Sequence, residues 1–135
     1  LCSQEFMTWD ELKTQLKPIN DVLGGCLIIC MSSCESFHAC TMAMTLEEND
    51  KPFLALIANS SKPQWSDSAI AYATFYHLLA KISKIKEAVE AMKKASGDGN
   101  FVLVLGPKIK GDFINNYRKI LEDKLAEIGN NLAKK

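Results

Sequence analysis

The chain has no excess of charge of either sign, because its 16 Lys and Arg are matched by 16 Asp and Glu over 135 residues. Phosphate backbones are bound by clustered basic side chains that release counterions. No basic stripe occurs beyond the Lys-rich segments near the end, so no nucleic-acid partner is expected. Long apolar runs are also missing. The longest, Val22 to Met31, contains two Gly and falls well short of the roughly 20 residues that cross a bilayer. No membrane association is expected. The five cysteines (Cys2, Cys26, Cys30, Cys34 and Cys40) form no Cys-x-x-Cys pair, and only two histidines are present. An odd number of unpaired cysteines fits a reducing compartment better than a disulfide framework, and the expected location is cytoplasmic. A metal site would need closer Cys pairs or added His ligands, so neither a metal nor an organic cofactor is expected. There is no secretory signal pattern, no internal repeat and no low-complexity stretch. The first residue is Leu1 rather than Met, which suggests a processed chain or a fragment.

What is present is the pattern of one α/β domain. With 47% hydrophobic residues the chain can bury a core without disulfides or metal. Thr8-Trp9-Asp10-Glu11 reads as a capping box, with Met7 and Leu12 placed as a hydrophobic staple. Leu12, Leu16, Ile19 and Val22 follow at helical spacing. Pro18, lacking an amide hydrogen, should kink or divide that helix, and Gly24-Gly25 should end it. Cys26 to Met31, Phe53 to Ala58 and Phe101 to Leu105 are apolar runs without polar alternation, as expected of strands covered on both faces. The first two should be adjacent and parallel, joined by a short helix over Phe37 to about Leu46. Ser66 or Asp67 should cap a helix over about 68–80, Ser83 one that Gly97 stops, and a last helix should run over about 112–132 after Gly106-Pro107 closes the third strand. Its apolar stripe is Phe113, Tyr117, Ile120, Leu121, Leu125 and Ile128, with Glu122, Lys124 and Glu127 on a solvated face.

Four of these pieces, in register between Thr8 and Leu105, resemble a known family. Leu27 to Ser36, an apolar strand running into Ser32-Ser33-Cys34-Glu35-Ser36, is similar to the strand and loop of caspase-like peptidases of the CHAT or peptidase C14 type. Phe53 to Ala58 with Trp65-Ser66-Asp67, Ala73 to Leu79, and Glu87 to Met92 resemble that family's next strand, loop, Phe-Tyr helix and Glu-Ala-Val helix. Ser33 stands where the family usually has Ala. The resemblance implies that residues 1–135 are the carboxyl-terminal portion of a single caspase-like domain. The implied fold is a three-layer α/β sandwich with a mostly parallel sheet, incomplete in this chain. The implied activity is that of a cysteine endopeptidase acting on a peptide or protein. Cys34 falls at the nucleophile, and the catalytic His would lie on a His-Gly loop upstream, outside these residues. A longer parent chain, a partner chain or a homo-oligomer would then complete the sheet. In bacteria such domains serve as effectors attached to sensors. The rival reading is a non-catalytic interaction module that keeps the scaffold.

The residues carry this chemistry on their own terms as well. A thiol with a pKa of about 8.5 is mostly protonated at neutral pH and needs a His, a positive neighbour or a helix amino terminus to become a nucleophile. Cys34 is placed between a strand end and a helix start, where reactive groups collect in open α/β sheets, and its own amide could help hold an oxyanion. Otherwise it is one more buried small residue. Ser33, Glu35, Trp65 and Asp67 flank the same strand ends and are candidates for substrate contact, although Asp67 is first a capping residue. His38, four residues after Cys34, is a substitute base in principle, with surface placement preferred. His77 is expected to pack among apolar neighbours, and Cys26 and Cys30 to share one strand face within the core.

Overall fold

A computed structural model describes residues 7–81 and 84–133. The element order is α1 (Trp9–Val22), β1 (Ile28–Cys30), a 3₁₀ helix (Ser36–Ala43), β2 (Ala55–Asn59), α2 (Trp65–Leu79), α3 (Ile85–Ser96), β3 (Phe101–Leu105) and α4 (Gly106–Ala133). The capping box forms as the sequence predicts: the Thr8 amide donates to the Glu11 carboxylate at 2.7 Å and the Glu11 amide to the Thr8 hydroxyl at 3.2 Å. Helix α1 continues through Pro18 without being divided.

The strands form one sheet in the order β1-β2-β3. β1 and β2 run parallel, with Ile28 opposite Ala55 and Cys30 opposite Ile57. β3 is antiparallel to β2, with Phe101 opposite Asn59. The sheet is therefore mixed rather than mostly parallel. The reason lies in the connection. α2 leads away from the end of β2 and α3 leads back, so the chain re-enters the sheet at the end it left.

Strand β2 is buried along its whole length. Alternate residues serve opposite faces. Leu56 and Ala58 join the 3₁₀ helix residues Ala39, Cys40, Met42 and Ala43, with Leu12 and Leu16 of α1 and Ile109 of α4 packed against them. Ile57 joins Ala71 and Phe75 of α2, Ala88, Val89 and Met92 of α3, and Phe101. Helices thus cover both faces, as the unalternating strands require.

The element boundaries depart from expectation in several places. The ladder of β1 covers only Ile28–Cys30, and Cys26 is exposed rather than in the core. Gln64 stands at the N-cap of α2 without a side-chain bond, and Ser66 and Asp67 lie in its first turn. Ser83 lies outside the described residues, and Lys84 occupies the N-cap of α3, whose end is Gly97 in the left-handed region. Gly106-Pro107 does not close β3 with a loop. It opens α4 directly, because a Pro in the first helical turn gives up no needed hydrogen bond. Gly106 is required at that corner: its amide donates to the Leu54 carbonyl at 2.9 Å, and a Cβ there would collide with the Phe53 carbonyl oxygen. The apolar stripe of α4 is packed only near its start, and Tyr117, Ile120, Leu121, Leu125 and Ile128 are exposed.

Two buried polar groups tie α1 and α4 to the segments that lead into β1 and β2. Asn20 is almost fully buried and bridges both strand entries, donating to the Lys51 carbonyl at 2.7 Å and accepting from the Leu27 amide at 2.8 Å. The Lys110 ammonium donates to the carbonyls of Glu47, Glu48 (2.8 Å) and Asp50 (3.1 Å). Burial pulls its pKa below that of an ordinary lysine. Replacing Asn20 with Ala leaves one donor and one acceptor unpaired, so urea unfolding of Asn20→Ala should show a loss of about 2–4 kcal/mol at an unchanged m-value.

Candidate functional site

The loop after β1 is held by backbone bonds and three hydroxyl or amide side chains. The Met31 amide donates to the Ile57 carbonyl at 2.9 Å, continuing the parallel ladder by one residue. The Met31 carbonyl in turn accepts from the Tyr72 hydroxyl at 2.6 Å and from the Ser36 hydroxyl at 3.3 Å. Ser36 Oγ also accepts from the Asn59 amide at 3.0 Å, and Asn59 Oδ1 accepts from the Ser61 amide at 2.8 Å. The Glu35 amide reaches the Ser61 carbonyl at 2.8 Å. These bonds join the carboxyl ends of β1 and β2 and force a sharp reversal. Glu35 takes it up with φ 52°, the only non-glycine residue with positive φ among the described residues.

Cys34 sits on this reversal, exposed to solvent, immediately before the strained residue. Its amide has no hydrogen-bond acceptor among the described residues. Ser33 and Glu35 are exposed beside it. Trp65 is 86% exposed at the start of α2, and Asp67, half-buried in that helix's first turn, accepts from the Ser66 hydroxyl at 3.3 Å.

Next to the loop lies an open cleft of about 380 Å³, lined by Cys30, Ser32, Trp65, Ser68, Ala69, Tyr72 and Tyr76. Of the residues singled out from sequence, Trp65 lines it. Cys34, Ser33, Glu35 and Asp67 do not. Neither histidine lines it: His38 is exposed on the 3₁₀ helix, and His77 is exposed on α2 rather than packed. Sequence reasoning missed Tyr72, Tyr76 and Cys30. The signal was the spacing of Trp65, Ser68, Ala69, Tyr72 and Tyr76, which recur every three or four residues and so share one face of α2. Phe75 and Ala71 take the other face, against the sheet.

The cleft is electrically quiet. Burial pushes the Cys30 thiol above its ordinary value, opposed by the Tyr76 hydroxyl. The Cys30 thiol, with burial added, pushes Tyr76 up to about 12. Tyr72 is raised further, chiefly by burial. No group of three or more His, Cys, Asp or Glu that could hold a metal occurs among the described residues.

No family model matches the chain, and no curated protein or solved structure matches it.

Two outcomes follow from this arrangement. Limiting iodoacetamide on the native protein, read by peptide mapping, should modify Cys34 well ahead of half-buried Cys30 and buried Cys40, whose thiols are raised by burial. Cys26 is exposed as well and offers no protected comparison. In addition, Cys30 starts from 9.0 and Tyr76 from 10.0, and both are higher when folded. The unfolded chain therefore gives up these protons first. Their contribution to stability is complete below about pH 9 and is lost as pH rises toward 12. Urea titrations across that range should show the decline, and Cys30→Ala should lessen its first part.

Proposed function

We propose that this chain is the carboxyl-terminal portion of a caspase-like cysteine endopeptidase domain of the CHAT type, with Cys34 as nucleophile. The observation that carries the reading is the position of Cys34. It is exposed on the fixed reversal at the carboxyl end of β1, with β2 parallel beside it, which is where open α/β sheets gather reacting groups. The residues quoted above for the family resemblance supply the reaction class.

In this reading the Cys34 sulfur gives up its proton to a histidine and attacks the substrate carbonyl. The tetrahedral intermediate collapses to a thioester as the leaving amine takes that proton, and water then releases the acid and restores the thiol. The Cys34 amide, which has no acceptor among the described residues, is available to the oxyanion. Ser33, Glu35, Trp65 and Asp67 border the substrate path, with Trp65 at the cleft. The histidine comes from a segment or partner beyond these residues, and that segment also covers the outer edge of β1, which has no neighbouring strand among the described residues. Four described cysteines are free thiols, which favours the reducing cytoplasm, and no described helix is long and apolar enough to cross a membrane.

A second reading, a non-catalytic module with the same scaffold, is favoured by one observation: both histidines of the chain are exposed on helices and neither lines the cleft.

Cys34→Ala should abolish peptide hydrolysis by the full-length protein, by at least about 10³-fold, with folding intact because an exposed loop side chain adds little core volume. His38→Ala should retain activity. Loss of activity in a folded His38→Ala variant would make His38 the base, and absence of Cys34-dependent hydrolysis in the full-length protein would favour the inactive scaffold.

A further inference from the structure

The geometry points to the cleft beside β1 as the pocket for an uncharged, aromatic-sized side chain of the substrate, at the residue whose carbonyl Cys34 attacks. This rests on the peptidase reading for its link to catalysis, while the binding chemistry of the cleft stands on its lining.

Position comes first. Ser32 lines the cleft and Cys34 follows two residues later, so their Cα atoms lie within about 7 Å. A peptide held with its carbonyl at Cys34 has that residue's Cβ two bonds from the carbonyl carbon, within reach of the cleft mouth. The floor is rigid, because the Tyr72 hydroxyl is bonded to the Met31 carbonyl and the Tyr72 ring packs edge-on against Phe101 at 5.8 Å.

Chemistry decides what enters. No charged side chain among the described residues lines the cleft, and Asp67, the acid nearest in sequence to Trp65, lies outside the lining. An Asp, Glu, Lys or Arg side chain would lose water there and gain no counter-charge, a heavy cost. The lining titratable groups do not change this, since Cys30, Tyr72 and Tyr76 are all held protonated at neutral pH. Three aromatic rings, from Trp65, Tyr72 and Tyr76, line a volume of about 380 Å³, within the range of ligand pockets and ample for a Phe, Tyr or Trp ring. Tyr72 and Tyr76 are already in contact, with ring centroids 6.2 Å apart, whereas Trp65 leaves 86% of its surface in water. An aromatic guest would cover that indole and stack at its edge or face, an arrangement favoured beyond simple area burial.

The test uses peptidyl chloromethyl ketones that differ only in their last residue, Phe, Asp or Arg. Each is attacked by a thiolate with loss of chloride to leave a thioether. With the full-length protein, the Phe reagent should label Cys34 at least about tenfold faster than either charged reagent, the lower end of the discrimination that a shaped apolar pocket achieves. Ala69→Trp, which fills the cleft from an exposed position, should remove the preference, and Trp65→Ala should reduce it if the first variant does not fold. An equal or faster rate with Asp or Arg overturns the inference. If no reagent labels Cys34, the peptidase reading fails and the pocket is judged separately by NMR of the Trp65 indole, assigned with Trp65→Phe. N-acetyl-phenylalaninamide should shift that resonance while the aspartyl and arginyl analogues leave it in place. No shift with the phenylalanine probe overturns the pocket itself.

Discussion

Everything in this molecule hangs on the burial of β2. Its five residues, Ala55 to Asn59, are enclosed on both faces and bonded on both edges, in parallel to β1 and antiparallel to β3. A strand so enclosed can carry no charge and tolerates no change of register, since a one-residue slip would exchange Leu56 and Ala58 with Ile57 between two cores of different shape. The 3₁₀ helix, α1 and the start of α4 fill one side, and α2 with α3 fill the other. Asn59, at the carboxyl end, turns the same constraint to another use. It is fully buried, so its amide groups must find partners, and they find Asp98, Ser36 and Ser61. The order of the strand end and the order of the loop bearing Cys34 are in this sense one property.

How much of this could be read from the residues alone depended on whether a local rule decided the outcome. The Thr8 capping box, the Gly97 stop and the three apolar strands obey short-range rules and were legible. The direction of β3 was not, because it depends on two helices of similar length cancelling each other's travel, which no local pattern encodes. The start of α4 was misplaced because Gly-Pro ordinarily signals a turn, whereas here Gly106 is demanded by the Phe53 backbone and Pro107 suits a first helical turn. Cys26 was placed in the core because an apolar run does not reveal where its ladder begins.

The site was half legible. A cysteine between strand end and helix start is visible in sequence, and the structure places Cys34 on an exposed, strained reversal. The cleft was less visible, since it is built from one face of α2 brought against the end of β1. Tyr72 was not singled out at all, yet its hydroxyl is spent on the Met31 carbonyl and its ring shapes the opening. His77 illustrates the opposite error: apolar neighbours in sequence say little about the side of a helix on which a residue falls, and it faces water.

The sheet's topology also bears on the speed of assembly. Neither strand pair is a hairpin: the 3₁₀ helix and its flanking loops separate β1 from β2, and both α2 and α3 separate β2 from β3. Each pairing must close a long loop before any ladder bond repays the lost chain entropy. By contrast α2 and α3 are sequence neighbours that pack on each other and can meet early. Folding is therefore expected to begin with this helical pair gathering Phe75, Val89 and Met92, and to be limited by the later arrival of β2 between its two partners.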